Sequence, residues 1–285
     1  ALLQPDFPEL KLVRRFRLAR KLAGSYFRNL VADEVDGVVY PNINPLAART
    51  GRMSVTAPAL QTLPRGRTVR DAFVAREGCR LVRADYDQME LRVMAYFSGA
   101  PALLDAYRRG EDLHRLVASQ VYHVEEPTKQ QRGTAKNAQF AKIYGAGAEK
   151  FAATAGILVP EARAFLTRYD ELFPEVAGFM ARTTASGRAS AGSDGRGYVA
   201  TRGGRRLYVD AGREYSGVNY IVQGSCAETL KERIVELSYA GLGEYLRLPV
   251  HDEVMLECPV DVVDDVVGAV RRGLPDRSSF SGPLE

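Results

Sequence analysis

Arg132, Lys136, Phe140 and Tyr144 stand one every four residues along the chain. In a helix each step of four turns about 40° and rises about 6 Å, so the four side chains form one slowly drifting ridge roughly 18 Å long. Two cations lead and two aromatic rings follow. Cations hold phosphate oxygens through charge-assisted hydrogen bonds, and rings offer faces for stacking. The order suits a ligand with a phosphate tail and a flat base, that is, a nucleotide. The ends of the helix are legible too. Thr128 with Gln131 three residues on is a capping-box spacing, and Gly145 is a natural C-terminal stop. The plainer reading is an amphipathic helix with solvated cations and buried rings. It accommodates any one of the four residues, but accounts poorly for the ordered set followed by Tyr-Gly.

Two carboxylates stand at the ends of extended segments. Asp85 closes the apolar-rich run Arg80 to Ala84, ahead of Met89, Val93 and Phe97, which share the buried side of a helix. Asp252 sits at a tight point between Leu248-Pro249-Val250-His251 and Glu253-Val254-Met255-Leu256, in a stretch, Leu246 to Glu257, that reads as a hairpin. An acid at such a place is commonly a turn residue. Glu161 to Leu172 is helical in pattern, as is Thr229 to Ala240, where Leu230, Ile234 and Leu237 share a face. Pro41 to Pro45 reads as extended or turn structure, and Ser186 to Gly197 as a mobile connection. Strands first and last with helices between predict an α+β fold, an antiparallel sheet carrying a helical insertion.

Composition sets the outer bounds. The 285 residues make one large domain or two modest ones, and a hydrophobic content of 46% supplies a core. No apolar run reaches the roughly 18 to 20 residues of a membrane span, and Ala1-Leu2-Leu3-Gln4 runs into Pro5 without a signal-like pattern, so a soluble, cytoplasmic chain is expected. The net charge of +4 permits an acidic partner without requiring one. Lys11 to Lys21 holds six cations and no acid, either a solvated helix face or a phosphate-facing surface. Three cysteines without a Cys-x-x-Cys pair give neither a disulfide framework nor a zinc site, and three scattered histidines make no structural metal cluster.

Three segments, in order, resemble the signature motifs of family A DNA polymerases, the bacterial polymerase I type. Asp85-Tyr86-Asp87-Gln88-Met89-Glu90-Leu91-Arg92 is similar to that family's Asp-Tyr-Ser-Gln-x-Glu-Leu-Arg. Arg132 to Gly145 is similar to Arg-x3-Lys-x3-Phe-Gly-x2-Tyr-Gly, with Ala141 where Gly is usual, and Val250-His251-Asp252-Glu253 matches Val-His-Asp-Glu. Thr50-Gly51-Arg52-Met53-Ser54 and Thr201-Arg202-Gly203-Gly204-Arg205-Arg206 resemble two further stretches. The resemblance covers nearly the whole chain. It implies a right-hand polymerase palm, an antiparallel sheet, with an inserted helical fingers subdomain and the thumb largely absent. The expected divisions are 1–30 as a basic helix at the end of the thumb, 31–99 as the first part of the palm, 100–195 as fingers, and 196–285 as the second part of the palm, truncated at Gly282-Pro283-Leu284-Glu285.

The implied activity is template-directed addition of deoxyribonucleotides to a primer 3′-hydroxyl. That transfer builds negative charge, which two hard cations about 3.5 to 4 Å apart stabilise at both ends of an in-line displacement. Magnesium prefers oxygen ligands, and two Mg2+ ions are expected, with Mn2+ able to substitute. The resemblance makes Asp85 and Asp252 the catalytic, metal-bridging carboxylates, adds the backbone carbonyl of Tyr86, and leaves Glu253 outside the ligands. It assigns Gln88, Glu90, His114, Arg132, Lys136, Phe140 and Tyr144 to the incoming nucleotide. Glu90 would be a gate under the sugar, packed with Tyr144, and His114 a phosphate contact. It assigns Arg52, Gln61, Arg205, Gln223 and His251 to DNA, with Arg52 testing pair shape in the minor groove.

Departures fall at Ala59, Thr62, Asp87, Gln139 and Ala141, and the short connection from Arg206 to Tyr215 resembles a divergent, phage-type member. Expected partners are primer–template DNA, deoxyribonucleoside triphosphates (dNTPs) and the remaining domains of a larger polymerase: a thumb, and an exonuclease where the parent has one. No membrane is expected, and a monomer is. Without a thumb body, weak and salt-sensitive DNA binding is expected. Alternatives are a catalytically inactive DNA-binding fragment and a single-subunit RNA polymerase, against which the sugar gate at Glu90 argues.

Overall fold

A computed structural model of the chain describes residues 7, 9–64 and 66–274. Expectations placed on residues 1–6 and 275–285, including the C-terminal truncation, lie outside the described residues. The chain opens with helix α1 (Glu9–Lys21), a π-helical turn (Leu22–Phe27) and α2 (Arg28–Ala32). Two small hairpins follow, β1 (Glu34–Val35) with β2 (Val38–Val39) and β3 (Asn42–Asn44) with β4 (Ser54–Thr56), and then α3 (Arg67–Arg70). Strand β5 (Cys79–Asp85) leads into α4 (Met89–Ser98), α5 (Pro101–Arg108), α6 (Leu113–Tyr122), α7 (Lys129–Ile143), α8 (Ala148–Ala155), α9 (Val159–Leu172) and α10 (Pro174–Ala189). A hairpin of β6 (Gly197–Ala200) and β7 (Arg206–Val209) precedes the long helix α11 (Gly217–Leu237). The described chain closes with β8 (Leu246–Val250), β9 (Glu253–Pro259) and α12 (Val263–Gly273).

The expected antiparallel sheet is β5-β9-β8, and the helices α5 to α10 lie between its strands in sequence, as an insertion. Register pairs Val82 with Leu256, Ala84 with Val254 and Asp85 with Glu253. Val82, Val254, Leu256 and Cys258 are buried in the main core with residues of α4, α11 and α12. Each large aliphatic side chain removed from water there contributes about 1.5–3 kcal/mol. The buried stripe therefore fixes the register, because a slip of one residue would turn the whole apolar set outward. A smaller cluster of Leu30, Val55, Leu60 and Val69 sits beneath the N-terminal hairpins.

Two expectations change. The stretch from Ser186 to Gly197 is not one loose connection: α10 continues to Ala189 and β6 begins at Gly197. Gly197 serves close packing, since a Cβ there would stand 1.6 Å from the Gly187 carbonyl oxygen. Helix α11 begins twelve residues earlier than the Thr229 start read from the apolar stripe, at Gly217. Its first half packs on the β6–β7 hairpin, so burial there is nearly continuous and carries no single-face period. A Cβ on Gly224 would lie 2.6 Å from Thr201 Cγ2 and 2.9 Å from Leu207 Cδ1. The basic helix α1 buries no residue, and Leu12 and Phe16 are as exposed as its cations.

Candidate active site

Helix α7 starts as its capping pair dictates. Thr128 Oγ1 accepts from the Gln131 N–H at 3.2 Å, and Gln131 Oε1 accepts from the Thr128 N–H at 2.8 Å. Ala135, Ala138, Ala141 and Ile143 are buried on its inner face. The ridge lies outside that face: Lys136 and Tyr144 are exposed, Arg132 and Phe140 half-buried, and the two rings stand 6.5 Å apart. Lys136 is thus open to a ligand, and the Tyr144 ring is not core. Ala141, where the motif usually has Gly, packs inward at 7% exposure.

At the N-terminal end of the ridge, Arg132 Nε donates to Asp112 Oδ2 at 2.6 Å. Asp112 also caps α6, accepting from the backbone N–H groups of His114 and Arg115. Burial pushes the Asp112 carboxyl up, but Arg132 and the Arg115 N–H outweigh it and hold it below its ordinary value. His114 is buried, with Nδ1 against Gln139 Oε1, and burial lowers its pKa.

At the other end, the Tyr144 hydroxyl lies 3.3 Å and 3.4 Å from the two carboxylate oxygens of Glu90 and accepts from Gln223 Nε2 at 3.1 Å. Arg52 forms an ion pair with the same Glu90. The pair expected to gate the sugar is in contact, and two residues expected at DNA, Arg52 and Gln223, are held by it. Burial and the Glu90 charge raise the Tyr144 pKa, which keeps the phenol a donor.

The carboxylates meet at the end of the sheet. Asp85 is the last residue of β5, Asp252 lies in the β8–β9 turn, and the Tyr86 N–H donates to the Asp252 carbonyl at 3.3 Å. His251 makes that turn with φ +60°. Desolvation, the Asp252 charge and the Glu253 charge raise the pKa of Asp85. An acid whose ionised form its neighbours disfavour is one that a nearby cation relieves. Glu253 is occupied elsewhere: Arg83 Nε donates to it at 2.8 Å. Among the described residues no group of three or more His, Cys, Asp or Glu could hold a metal. Asp85, Asp252 and the Tyr86 carbonyl, expected to be metal ligands, offer oxygen donors, the hard type that suits magnesium. Arg52, Met89, Glu90, Cys226, His251 and Asp252 line one small pocket, which joins the Asp252 turn to the Arg52–Glu90 ion pair.

The remaining assigned residues have structural partners. Gln61 Nε2 donates to the Pro249 carbonyl at 3.2 Å, tying the N-terminal region to β8. Arg205 lies over Gly51, and Lys231 Nζ donates to the Gly51 carbonyl at 2.6 Å. Gln88 Nε2 donates to the Asp87 carboxylate at 3.2 Å, next to the end of β5. Sequence reasoning missed Asp112 as the anchor of Arg132, Lys231 beside Arg205, and Gln139 against His114. Asp112 was recoverable, because an Asp just before a helix is an N-cap signature. The other two depend on contacts between distant elements and left no local signal.

The family model described as DNA polymerase family A matches residues 1–285. DNA polymerase I of Pseudomonas aeruginosa is 34% identical over 306 residues, covering 99% of this chain and 33% of that protein. The thermostable DNA polymerase I of Thermus filiformis is 35% identical, covering 98% of this chain and 35% of the relative. A DNA polymerase of Mycobacterium phage L5 is 37% identical over 76% of this chain and 34% of its own length. The chain thus spans about a third of the length of these curated relatives. Among solved structures, the POL domain of Pol1 from M. smegmatis, in complex with DNA primer-template and dNTP, superposes with a TM-score of 0.85 at 31% identity, over 94% of this chain and 50% of that one.

Proposed function

This chain belongs to DNA polymerase family A, and from that premise we propose that it is the palm-and-fingers part of a DNA-directed DNA polymerase, adding deoxyribonucleotides to a primer 3′-hydroxyl. The observation that carries the reading is the pairing of β5 with β9, which sets Asp85 beside the Asp252 turn. The Glu90–Tyr144 pair stands next to it at the end of the cationic ridge. The same expectation divides the chain into palm at 31–99 and 196–285 and fingers at 100–195.

In this reading Arg132, Lys136 and His114 hold the triphosphate, and Phe140 and Tyr144 stack the base and sugar. Glu90, clamped between Arg52 and Tyr144, stands where a 2′-hydroxyl would project, so ribonucleotides are rejected by contact. On DNA binding Arg52 divides its donors between Glu90 and the minor-groove acceptors that every correct pair presents. Arg205, with Lys231 beside it, meets backbone phosphate. Asp85, Asp252 and the Tyr86 carbonyl would hold two magnesium ions, which when bound supply the charge that offsets the transferring phosphate and activates the primer hydroxyl. The protein's own part is to fix the geometry and hold the negative charge of the tail.

Primer extension with magnesium tests the reading, run beside Asp85→Ala and Asp252→Ala. Incorporation by the native chain and its loss in both variants is the expected result. DNA binding without incorporation would leave an inactive DNA-binding fragment. Equal use of ribonucleotides would point to an RNA polymerase.

A further inference from the structure

His114 and Gln139 form a contact that the expected chemistry does not explain. His114 opens α6 and is 3% exposed, while Gln139 sits on α7 at 1% exposure, directly across from it. Nδ1 of the ring lies against Gln139 Oε1. Gln139 Nε2 is buried and, among the described residues, has no hydrogen-bond partner. The amide therefore has a single engaged atom, the one on the ring. Phe140, next along α7, flanks the imidazole with ring centroids 6.4 Å apart.

We propose that Gln139 is a positioning residue that holds His114 in the Nδ1–H form, so that the ring grips the triphosphate only after taking up a proton. The proposal rests on the polymerase reading above. An amide oxygen can only accept, so the ring must donate through Nδ1. In the neutral ring Nε2 is then a bare acceptor, which repels a phosphate oxygen. Protonation turns Nε2 into a charged donor, and the bound anion stabilises that form. Nucleotide binding and proton uptake are thereby linked.

The charges around the ring set the direction. Asp112, from its own helix, favours the imidazolium; Arg132 and Lys136, from α7, oppose it, and burial opposes it most. On the other helices against α6, Asp105 pairs with Arg108 on α5, and on α9 Arg163 pairs with Glu149, Arg168 with Glu171 and Asp170 with Lys142, while the Glu161 carboxylate accepts from the Leu158 N–H at the start of α9. Burial and the two cations thus favour the neutral form of the free ring, and the incoming triphosphate, which offsets Arg132 and Lys136, raises its proton affinity.

The test is steady-state incorporation of one dNTP on a primer–template across pH 6 to 8.5, with KM and kcat separated. Nucleotide binding by calorimetry in two buffers of different ionisation enthalpy accompanies it. In the native chain KM should rise with pH, by up to roughly tenfold per unit above the His114 midpoint, with net proton uptake on binding. Gln139→Glu, whose carboxylate favours the imidazolium, should move the rise to higher pH. Gln139→Leu frees the ring to adopt the Nε2–H form, and should flatten the rise. His114→Gln reports the part of the slope that belongs to the nucleotide and metal. A merely structural Gln139 would multiply KM by the same factor at every pH in both variants, which would overturn the proposal. A native slope no steeper than that of His114→Gln would overturn it as well. Absence of nucleotide binding at any pH would bring down the polymerase reading itself.

Discussion

The sharpest consequences sit on single carboxylates. Asp85 has its pKa raised by desolvation and by the charges of Asp252, Glu253 and Asp87, with Arg83 opposing. A group whose folded pKa lies above its unfolded value favours the fold while protonated, and that contribution is lost as pH rises through the folded pKa. At neutral pH, without a divalent cation, the ionised Asp85 therefore works against folding. Asp85→Asn should lower kcat/KM by roughly a thousandfold or more, ~4 kcal/mol of transition-state stabilisation. It should also raise the melting temperature in chelator, and a thermal scan alongside primer extension reads both. Glu90 carries the second residue-level expectation. Glu90→Ala removes the partner of Arg52 and Tyr144 and should weaken discrimination against ribonucleotides by about tenfold or more, ~1.4 kcal/mol. Competition between matched deoxyribo- and ribonucleotides measures it.

Elements carry these residues only as firmly as their ends and close contacts allow. The capping box of α7 satisfies two backbone donors that would otherwise be orphaned. Thr128→Ala should cost about 1 kcal/mol and fray the turn that holds Arg132, visible as a lower urea midpoint with a raised dNTP KM. Gly197 is more demanding. A methyl there would stand 1.6 Å from a backbone carbonyl oxygen, which no rotamer change relieves. Gly197→Ala should destabilise the chain by about 3 kcal/mol or more, read from denaturant unfolding. The same stretch shows the limit of local reading. Ser186 to Gly197 has a loop's composition, yet Gly197 is there because β6 touches the Gly187 backbone of α10.

At the scale of the whole molecule, the sheet brings together residues from opposite ends of the chain, and the helical insertion hangs its ridge beside them. Arg205 and Lys231 gather around Gly51, the residue before Arg52, a cationic spot suited to a backbone phosphate. Arg205→Ala should weaken DNA binding about equally on all sequences and reduce the slope of log K against log salt by about one, measured by fluorescence anisotropy. Among the described residues no helix is long and apolar enough to cross a membrane.

Much of the site was readable one segment at a time. The capping pair, the four-residue ridge, the strand ending in Asp85 and the hairpin around Asp252 are set by neighbours a few residues apart, where periodicity and turn chemistry act. The order of three motifs then pointed to the family. What the residues alone could not decide was which groups end up touching. That Glu90 is shared by Arg52 and Tyr144, that Gln139 faces His114, and that the early half of α11 lies on a hairpin all follow from packing distant elements into one core. Such contacts are selected by the burial of the whole apolar set and not by any local pattern, so only the folded arrangement displays them.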